Sequence, residues 1–313
     1  MVSTNLRKKQ RFWRDFRQEA TGWLYMIPVI VGILAFTISP MVISLVYSFH
    51  DYDPTRANPA EQLTNFGLQN YIRLFNPKED LHSILRSYYL TFRYAIVTII
   101  VGNVGSYVLA LFLNQRFRGV KVFRVLYYLP CLIPTVVSSL LWLNITGVDA
   151  GYVNLILTAM GLPRYTFYEA KETVFPTIIL LSTFGFGGSM IPWLASMKNV
   201  PNELYEAADI DGANSWTKFW KITLPLTTPM IFYNLILSLI SSLQVFGNFY
   251  TIRNGINDSE IDFVVLKIYG AAFDSPNTFG YACAQSWLLF AVIALLSALV
   301  FKTSKWVYYG EDN

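Results

Sequence analysis

Apolar residues along this chain come in long unbroken runs separated by polar connections rich in Asn, Asp, Pro and Gly. Six runs are each long enough to cross about 30 Å of hydrocarbon at about 1.5 Å per residue. They cover Gly22–Phe49, Tyr88–Leu113, Phe123–Ile145, Val174–Met197, Pro229–Tyr250 and Phe279–Phe301. In lipid every backbone amide must be satisfied within its own segment or in a closed barrel, and these runs are too continuous for barrel strands. The pattern predicts an all-α polytopic membrane protein with six transmembrane helices. Pro28, Pro40, Pro130 and Pro134 fall inside the runs and mark expected kinks.

Composition agrees: 54% of the 313 residues are hydrophobic, 14% are charged, and the mean hydropathy is +0.39. Such a balance is too apolar for a soluble domain of this size. The net charge of +4 reads as a topology signal, with no nucleic-acid partner. Arg and Lys concentrate at Arg7–Arg17, Arg116–Arg124, Lys198, Lys218, Lys221, Lys302 and Lys305, which places both termini in the cytoplasm by the positive-inside rule. The expected organisation is a basic cytoplasmic segment (1–21), one six-helix transmembrane domain (22–302) and a short cytoplasmic tail (303–313). The first run is too long for a signal peptide and lacks a small-residue cleavage site, so it is expected to remain as a span. Cys131 and Cys283 lie within spans without metal-ligand spacing and read as filler.

The outer connections, 50–87, 146–173 and 251–278, are expected to cap the outer mouth. Arg93 is either a functional intramembrane charge or, more simply, a side chain snorkelling to the outer interface. One inner connection, residues 198–225, is too polar to cross and too patterned for a passive linker. Pro201 sits where a first helical turn accepts it, with Glu203 at the positive end of the helix dipole. Leu204, Ala207 and Ala208 share a face, and Gly212 ends the helix in a left-handed conformation. A second short helix, Asn214–Ile222, carries Trp216, Phe219 and Trp220 toward the membrane interface, and Pro225 is expected to stop it. The result is a protruding knob suited to a groove on a soluble partner. The alternative is an amphipathic helix resting on lipid.

The segment Glu206-Ala207-Ala208, Asp211-Gly212-Ala213, Phe219, Ile222, Leu224-Pro225 resembles the EAA segment of the binding-protein-dependent permeases of ABC importers. Further stretches (YMIPVIVGILAFTISPMVISLVYSF, ALFLNQRFRGVKVFRVLYYLP, FGYACAQSWLLF) are similar to the carbohydrate-uptake branch, of the maltose MalF and glycerol-phosphate UgpA permease types. From Thr251 to Glu260 the chain reads TIRNGINDSE, where many relatives carry a Gly-Gly-Pro-like turn, so its outer gate and ligand preference are expected to differ. The resemblance implies a type I importer permease of a prokaryotic cell membrane, with the EAA coupling helix between the fourth and fifth spans. Its implied partners are a second, homologous permease, two ATP-binding-cassette ATPases and an extracytoplasmic solute-binding protein, and its implied cargo is a carbohydrate of oligosaccharide size. Residues Glu203, Glu206, Ala207, Ala208, Asp211, Gly212 and Ala213 would contact the ATPase.

No G-x-x-x-x-G-K-[ST] loop is present, so ATP is expected on partner subunits only; no catalytic residue, cofactor or metal site is expected. His50 and His82 read as outer-surface residues, and no nucleophile has a base beside it. The spans carry no paired Asp or Glu of the kind that binds coupling ions, which weakens an ion-coupled secondary transporter as the alternative. An ABC permease for a non-sugar solute is the other alternative. Trp193, Asn234, Ser238, Gln244, Phe246, Asn248 and Tyr250 offer hydrogen bonds and ring faces for a solute path, or equally for packing between helices.

Overall fold

The computed structural model describes residues 21–54, 62–115, 117–275 and 278–308. The basic residues Arg7–Arg17 and Arg116, on which part of the expected topology rests, lie outside the described residues, as do residues 309–313. The described chain is mostly helical, with one two-stranded hairpin, Asp51–Tyr52 (β1) antiparallel to Leu63–Thr64 (β2).

Contacts group the chain into two compact units. One contains residues 1–72 and 271–287; the other contains 73–270 and 288–313. In the first, helix α1 (Thr21–Ser48) has a mean hydropathy of 2.5 over its most apolar window, none of which is buried. Bare apolar surface on that scale costs roughly 25 cal/mol per Å² in water, so its medium is lipid or another apolar protein surface. The end of α1 is tied down locally. Asn70 Nδ2 donates to the carbonyls of Ser48 (3.1 Å) and His50 (2.9 Å), and the Tyr47 ring stacks on Tyr52 at 3.9 Å.

The second unit is built on the long helix α3 (Leu81–Asn114), which follows the short α2 (Gln69–Phe75). Three further helices pass the length and hydropathy test for a span besides α3: α1, residues Thr228–Ile252, and the last helix Phe279–Lys302. The third and fourth expected spans are not continuous. Val120–Leu132 (α4) and Thr135–Thr146 (α5) meet at 100°, and Lys171–Thr183 (α7) and Phe186–Lys198 (α8) meet at 43°; between the pairs lies α6 (Tyr152–Ala159). The first break has a direct cause. Ile133 precedes Pro134, and the proline ring bars it from the helical region, so it takes φ −80°, ψ 127°. The second falls at Phe184–Gly185, in a glycine-rich stretch the proline inventory could not flag.

Two prolines that leave their helices running show a common device. A π-turn at Leu34–Ile38 ends just before Pro40, and another at Phe219–Thr223 ends just before Pro225. In each, the next amide reaches five residues back, Ser39 to Leu34 and Leu224 to Phe219. The wider turn makes room for a ring that would clash with the carbonyl four residues earlier. Pro225 therefore does not stop the helix: Leu224–Leu226 continues it, and the expected helix Asn214–Ile222 is a single α-turn (α10, Ser215–Lys218) followed by the π-turn.

Helix α8 lies against α3 and α4, and glycine sets how closely. A Cβ on Gly187 would stand 1.8 Å from the Tyr127 carbonyl oxygen, and one on Gly105 would strike the Phe186 ring at 2.2 Å. Around α8, Tyr107, Ala110, Leu113, Met190, Trp193, Leu194 and Met197 form one buried cluster. A second cluster joins the connecting segments to the helix ends, with Leu90, Tyr94, Phe167, Tyr168, Val174, Phe249, Ile261 and Phe263. Within it Asn257 is fully buried and donates to the carbonyls of Tyr168 (3.2 Å) and Ile252 (3.0 Å). Burial raises the Tyr168 phenol above its ordinary pKa, and its hydroxyl has no hydrogen-bond partner among the described residues. Cys131 is exposed and Cys283 buried, both as free thiols; Arg93 is exposed with its guanidinium 3.8 Å above the Phe175 ring.

Replacing Gly187 by Ala forces α8 away from the Tyr127 backbone, an overpacking that costs about 1–3 kcal/mol. The expected outcome is a lower midpoint in thermal unfolding of the detergent-purified protein, whereas Gly102→Ala, inside α3 where a Cβ meets nothing within 4 Å, does not lower it and raises it by the helix preference of Ala.

Candidate functional site

The segment after α8 turns through Asn199 and Val200 into helix α9, Asn202–Ile210. Pro201 is its N-cap, one position earlier than a first-turn proline, with φ −59° and ψ 132°. All of the expected partner-contacting face is accessible: Glu203, Glu206, Ala207 and Asp211 are exposed, Ala208 and Ala213 half-buried, and Ile210 is 88% exposed. An isoleucine left that bare on a nine-residue helix is suited to a partner surface.

The helix ends in a complete Schellman motif. Gly212 takes φ +71°, its amide donates to the Asp209 carbonyl (3.1 Å), and the Ala213 amide donates to the Ala208 carbonyl (2.8 Å). Asn214 follows at once as the next N-cap, its Oδ1 accepting from the Thr217 amide at 2.8 Å. The Lys218 ammonium pairs with the Asp209 carboxylate across this corner. Helix, glycine turn and helix are thus locked by backbone bonds, a cap and an ion pair, so the corner moves as one piece.

A line of buried polar contacts leaves that corner. The Tyr205 and Thr223 hydroxyls are 2.9 Å apart; Thr227 Oγ1 donates to the Thr223 carbonyl (2.9 Å) and accepts from the Tyr107 hydroxyl (3.0 Å). Tyr107 meets the Trp193 ring edge-to-face with centroids 4.8 Å apart, and Trp193 Nε1 donates to Ser106 Oγ at 3.1 Å. This line joins α9 to the start of α11 (Thr228–Leu243), to α3 and to α8.

The seven residues expected along a solute path separate into three places. Trp193, 1% exposed, and Asn234, 5% exposed, are buried in packing, Asn234 Nδ2 donating to the Met230 carbonyl. Gln244, Phe246, Asn248 and Tyr250 gather at the interruption between α11 and α12 (Gly247–Ile252), where Phe246 has φ −143°, ψ −69°. There Asn248 Oδ1 accepts from Ser139 Oγ (3.2 Å), and Phe246 stacks with Tyr250 at 5.4 Å. Ser238 lines a cavity of about 200 Å³ between α3, α8 and α11. Sequence reasoning missed the rest of this wall: Tyr94, Thr98, Ser182, Ser189, Ser241 and Ser242. The available signal was the 238, 241, 242, 245 spacing, one stripe that runs along α11 and just past its end.

Five of the seven hydroxyls that line the cavity share a polarity. Thr98 donates to the Tyr94 carbonyl (2.8 Å), Ser182 to Ile179 (2.6 Å), Ser238 to Asn234 (2.6 Å), Ser241 to Ser238 and Ser242 to Leu239 (both 3.2 Å). Each has one proton and places it on its own helix, so what these hydroxyls present to the cavity is lone pairs.

Residues 102–309 match the model of the family described as "Binding-protein-dependent transport system inner membrane component". The chain belongs to this family. As an inner-membrane permease component it is 35% identical, over 98% of its length and 97% of the relative's, to the probable ABC transporter permease protein YesP of Bacillus subtilis. It is 30% identical, over 95% of its length and 93% of the relative's, to the arabinooligosaccharides transport system permease protein AraP of the same organism. A chain of a bacterial ABC transporter involved in alginate import shares the permease fold, with a TM-score of 0.81 over 94% of this chain and 98% of that one at 24% identity.

The Tyr107–Thr227 contact gives an ordering that thermal unfolding can check. Tyr107→Phe removes one hydrogen bond, a loss of about 0.5–1.5 kcal/mol, whereas Thr227→Val strands the Tyr107 hydroxyl and costs about 1–3 kcal/mol. Thr227→Val is therefore expected to lower the midpoint more than Tyr107→Phe does.

Proposed function

We propose that the chain is the carbohydrate-translocating permease of an ATP-driven importer, with six spans made of three continuous helices, one helix interrupted at Gln244–Phe246 and two bent pairs. Both termini and residues 198–225 face the cytoplasm, and residues 22–302 act as one permease domain. Hydrolysis takes place on two ATPase subunits, a second permease completes the pathway, and an extracytoplasmic binding protein delivers the solute. The observation that carries the coupling assignment is the exposed helix α9 closed by Gly212 at φ +71°, with Glu206-Ala207-Ala208 on its accessible face.

Closure of the ATPase dimer pushes on Glu203, Glu206 and Ala207, and the locked corner transmits the push without bending. Tyr205, Thr223, Thr227 and Tyr107 carry it to the feet of α11, α3 and α8, which line the serine-rich cavity. Rocking of these helices against one another is a switch of the hinge-and-shear kind. A carbohydrate suits the cavity because its hydroxyls supply donors to the lone pairs of those five hydroxyls, and beyond the cavity wall the cluster of Phe246, Tyr250 and Tyr269 rings, 5.0–5.4 Å apart, offers aromatic surface to its apolar CH patches. Names of relatives such as AraP and the lactose permease LacF of Rhizobium radiobacter support the same class of solute.

The test uses two substitutions at Gly212, where a Cβ would meet nothing within 4 Å, so conformational strain is the whole effect. Gly212→Val imposes a left-handed β-branched residue, at a cost above the roughly 1–2 kcal/mol of an ordinary side chain there, while Gly212→Asn tolerates it. Expected is loss of uptake and of ATPase co-purification in Gly212→Val with membrane insertion intact, and retention of both in Gly212→Asn. Normal uptake by Gly212→Val sinks the coupling assignment.

A further inference from the structure

Behind the coupling helix, on the side away from its exposed face, a cleft of about 760 Å³ opens among the ends of α3, α4 and α8 and the start of α9. Arg118, Arg124, Lys198, Asn114, Asn202 and Tyr205 line it, and no carboxylate does. Three cations facing one space without a counter-charge repel one another unless an anion joins them. Arg118 and Lys198 are exposed and make no ion pair among the described residues. Arg124 is held in place by one of its ends: Nη2 donates to the Leu113 carbonyl at 2.6 Å, at the end of α3, while its buried Nε has no hydrogen-bond partner. A fixed guanidinium with an unused donor is the usual basis of phosphate recognition.

The cleft also has an apolar side. Phe117 lines it and packs against Phe112 (5.1 Å) and Phe123 (5.9 Å), whose rings are exposed. A free inorganic anion has no use for that wall; an amphiphile with a phosphate head and hydrocarbon chains uses both. Basic pockets between the inner ends of membrane helices suit anionic lipid headgroups, and the exposed Trp216 and Trp220 of the same inner segment are rings that settle at headgroup depth.

We propose that this cleft binds the phosphate of an anionic phospholipid headgroup, with the acyl chains along Phe112 and Phe123. Asn202 and Tyr205 belong to α9, so the bound headgroup braces the coupling helix from behind and makes its position sensitive to the charge of the surrounding lipid. The inference rests on the inward orientation of residues 198–225 proposed above. Lipid binding in detergent does not depend on orientation or on partner subunits, so it fails or holds separately from the importer reading.

The experiment is native mass spectrometry of the full chain in detergent, titrated with phosphatidylglycerol, phosphatidylcholine or inorganic phosphate. Arg118→Gln and Lys198→Gln are made together; both side chains are exposed, so the fold survives, and an unchanged thermal midpoint checks it. Arg124 is left alone because it also caps α3. Expected is preferential retention of phosphatidylglycerol over phosphatidylcholine, weakened roughly thirtyfold by the double substitution at about a few-fold to tenfold per lost cation. Equal retention of the two lipids, or a preference that the double variant keeps, overturns the proposal. Saturation of the site by inorganic phosphate without any lipid preference overturns it as well, by making the ligand a soluble anion.

Discussion

Tyr107, whose hydroxyl meets the Thr227 side chain and whose ring meets Trp193, makes the contact on which the inner half of the larger unit depends. Three helices meet there that share no backbone hydrogen bonds, and in lipid no water stands ready to replace a polar partner that moves away. Interhelical hydrogen bonds in membranes are individually modest, about 0.6 kcal/mol on average. Their value here is directional: Thr227 can accept from Tyr107 because its own proton is already on the Thr223 carbonyl. The same Thr223 meets Tyr205 of the exposed helix. A displacement of that helix therefore has a polar route into the bundle, whereas the apolar contacts around it are tolerant of sliding.

Against this fixed point the bundle is discontinuous where it borders the serine-rich cavity. The break at Phe184–Gly185 and the end of α11 at Leu243 both reach it, since Ser182, Gly185, Phe186, Ser242 and Val245 are in its wall. Irregular backbone at membrane depth is tolerated where it lines a cavity or is buried in protein. The prolines at 40 and 225 are treated differently, being absorbed by π-turns that keep the helices running. Two of the breaks thus fall beside the cavity, the 100° break at Ile133–Pro134 falls elsewhere, and the helix stays continuous from the turn after Gly212 toward α11.

Features governed by nearest neighbours were legible in the sequence. Gly212 in the left-handed region, the helix before it and the break at Pro134 follow from local sterics, and the long apolar runs follow from the thickness of the bilayer; the kink expected at Pro130 is instead a 3-10 turn within α4. The position of Pro201, one residue outside the first turn, and the continuation through Pro225 were misjudged because caps and π-turns depend on a single backbone bond that composition does not reveal. Trp193 and Asn234 show a deeper limit. Their residue types suit a solute path and helix packing alike, and which of the two they serve in this conformation is decided by residues such as Ser106 and Met230 on facing or preceding turns.

The serine hydroxyls carry the last step. A serine in a membrane helix can satisfy its proton on the carbonyl three or four residues back without any help from another helix, so it is cheap to place at a cavity wall that must open and close. It pays for that ease by showing only acceptor lone pairs to the interior. Donors in a stationary wall would bind a hydroxyl-rich solute too, yet each would need a new partner whenever the cavity emptied, at about 1–3 kcal/mol for an unmade buried bond. The five hydroxyls whose protons are already placed on their own helices incur no such cost in either state, and so can release a solute as readily as they receive one. That property matches a pathway that must empty inward on every cycle better than it matches a site selected for tight binding.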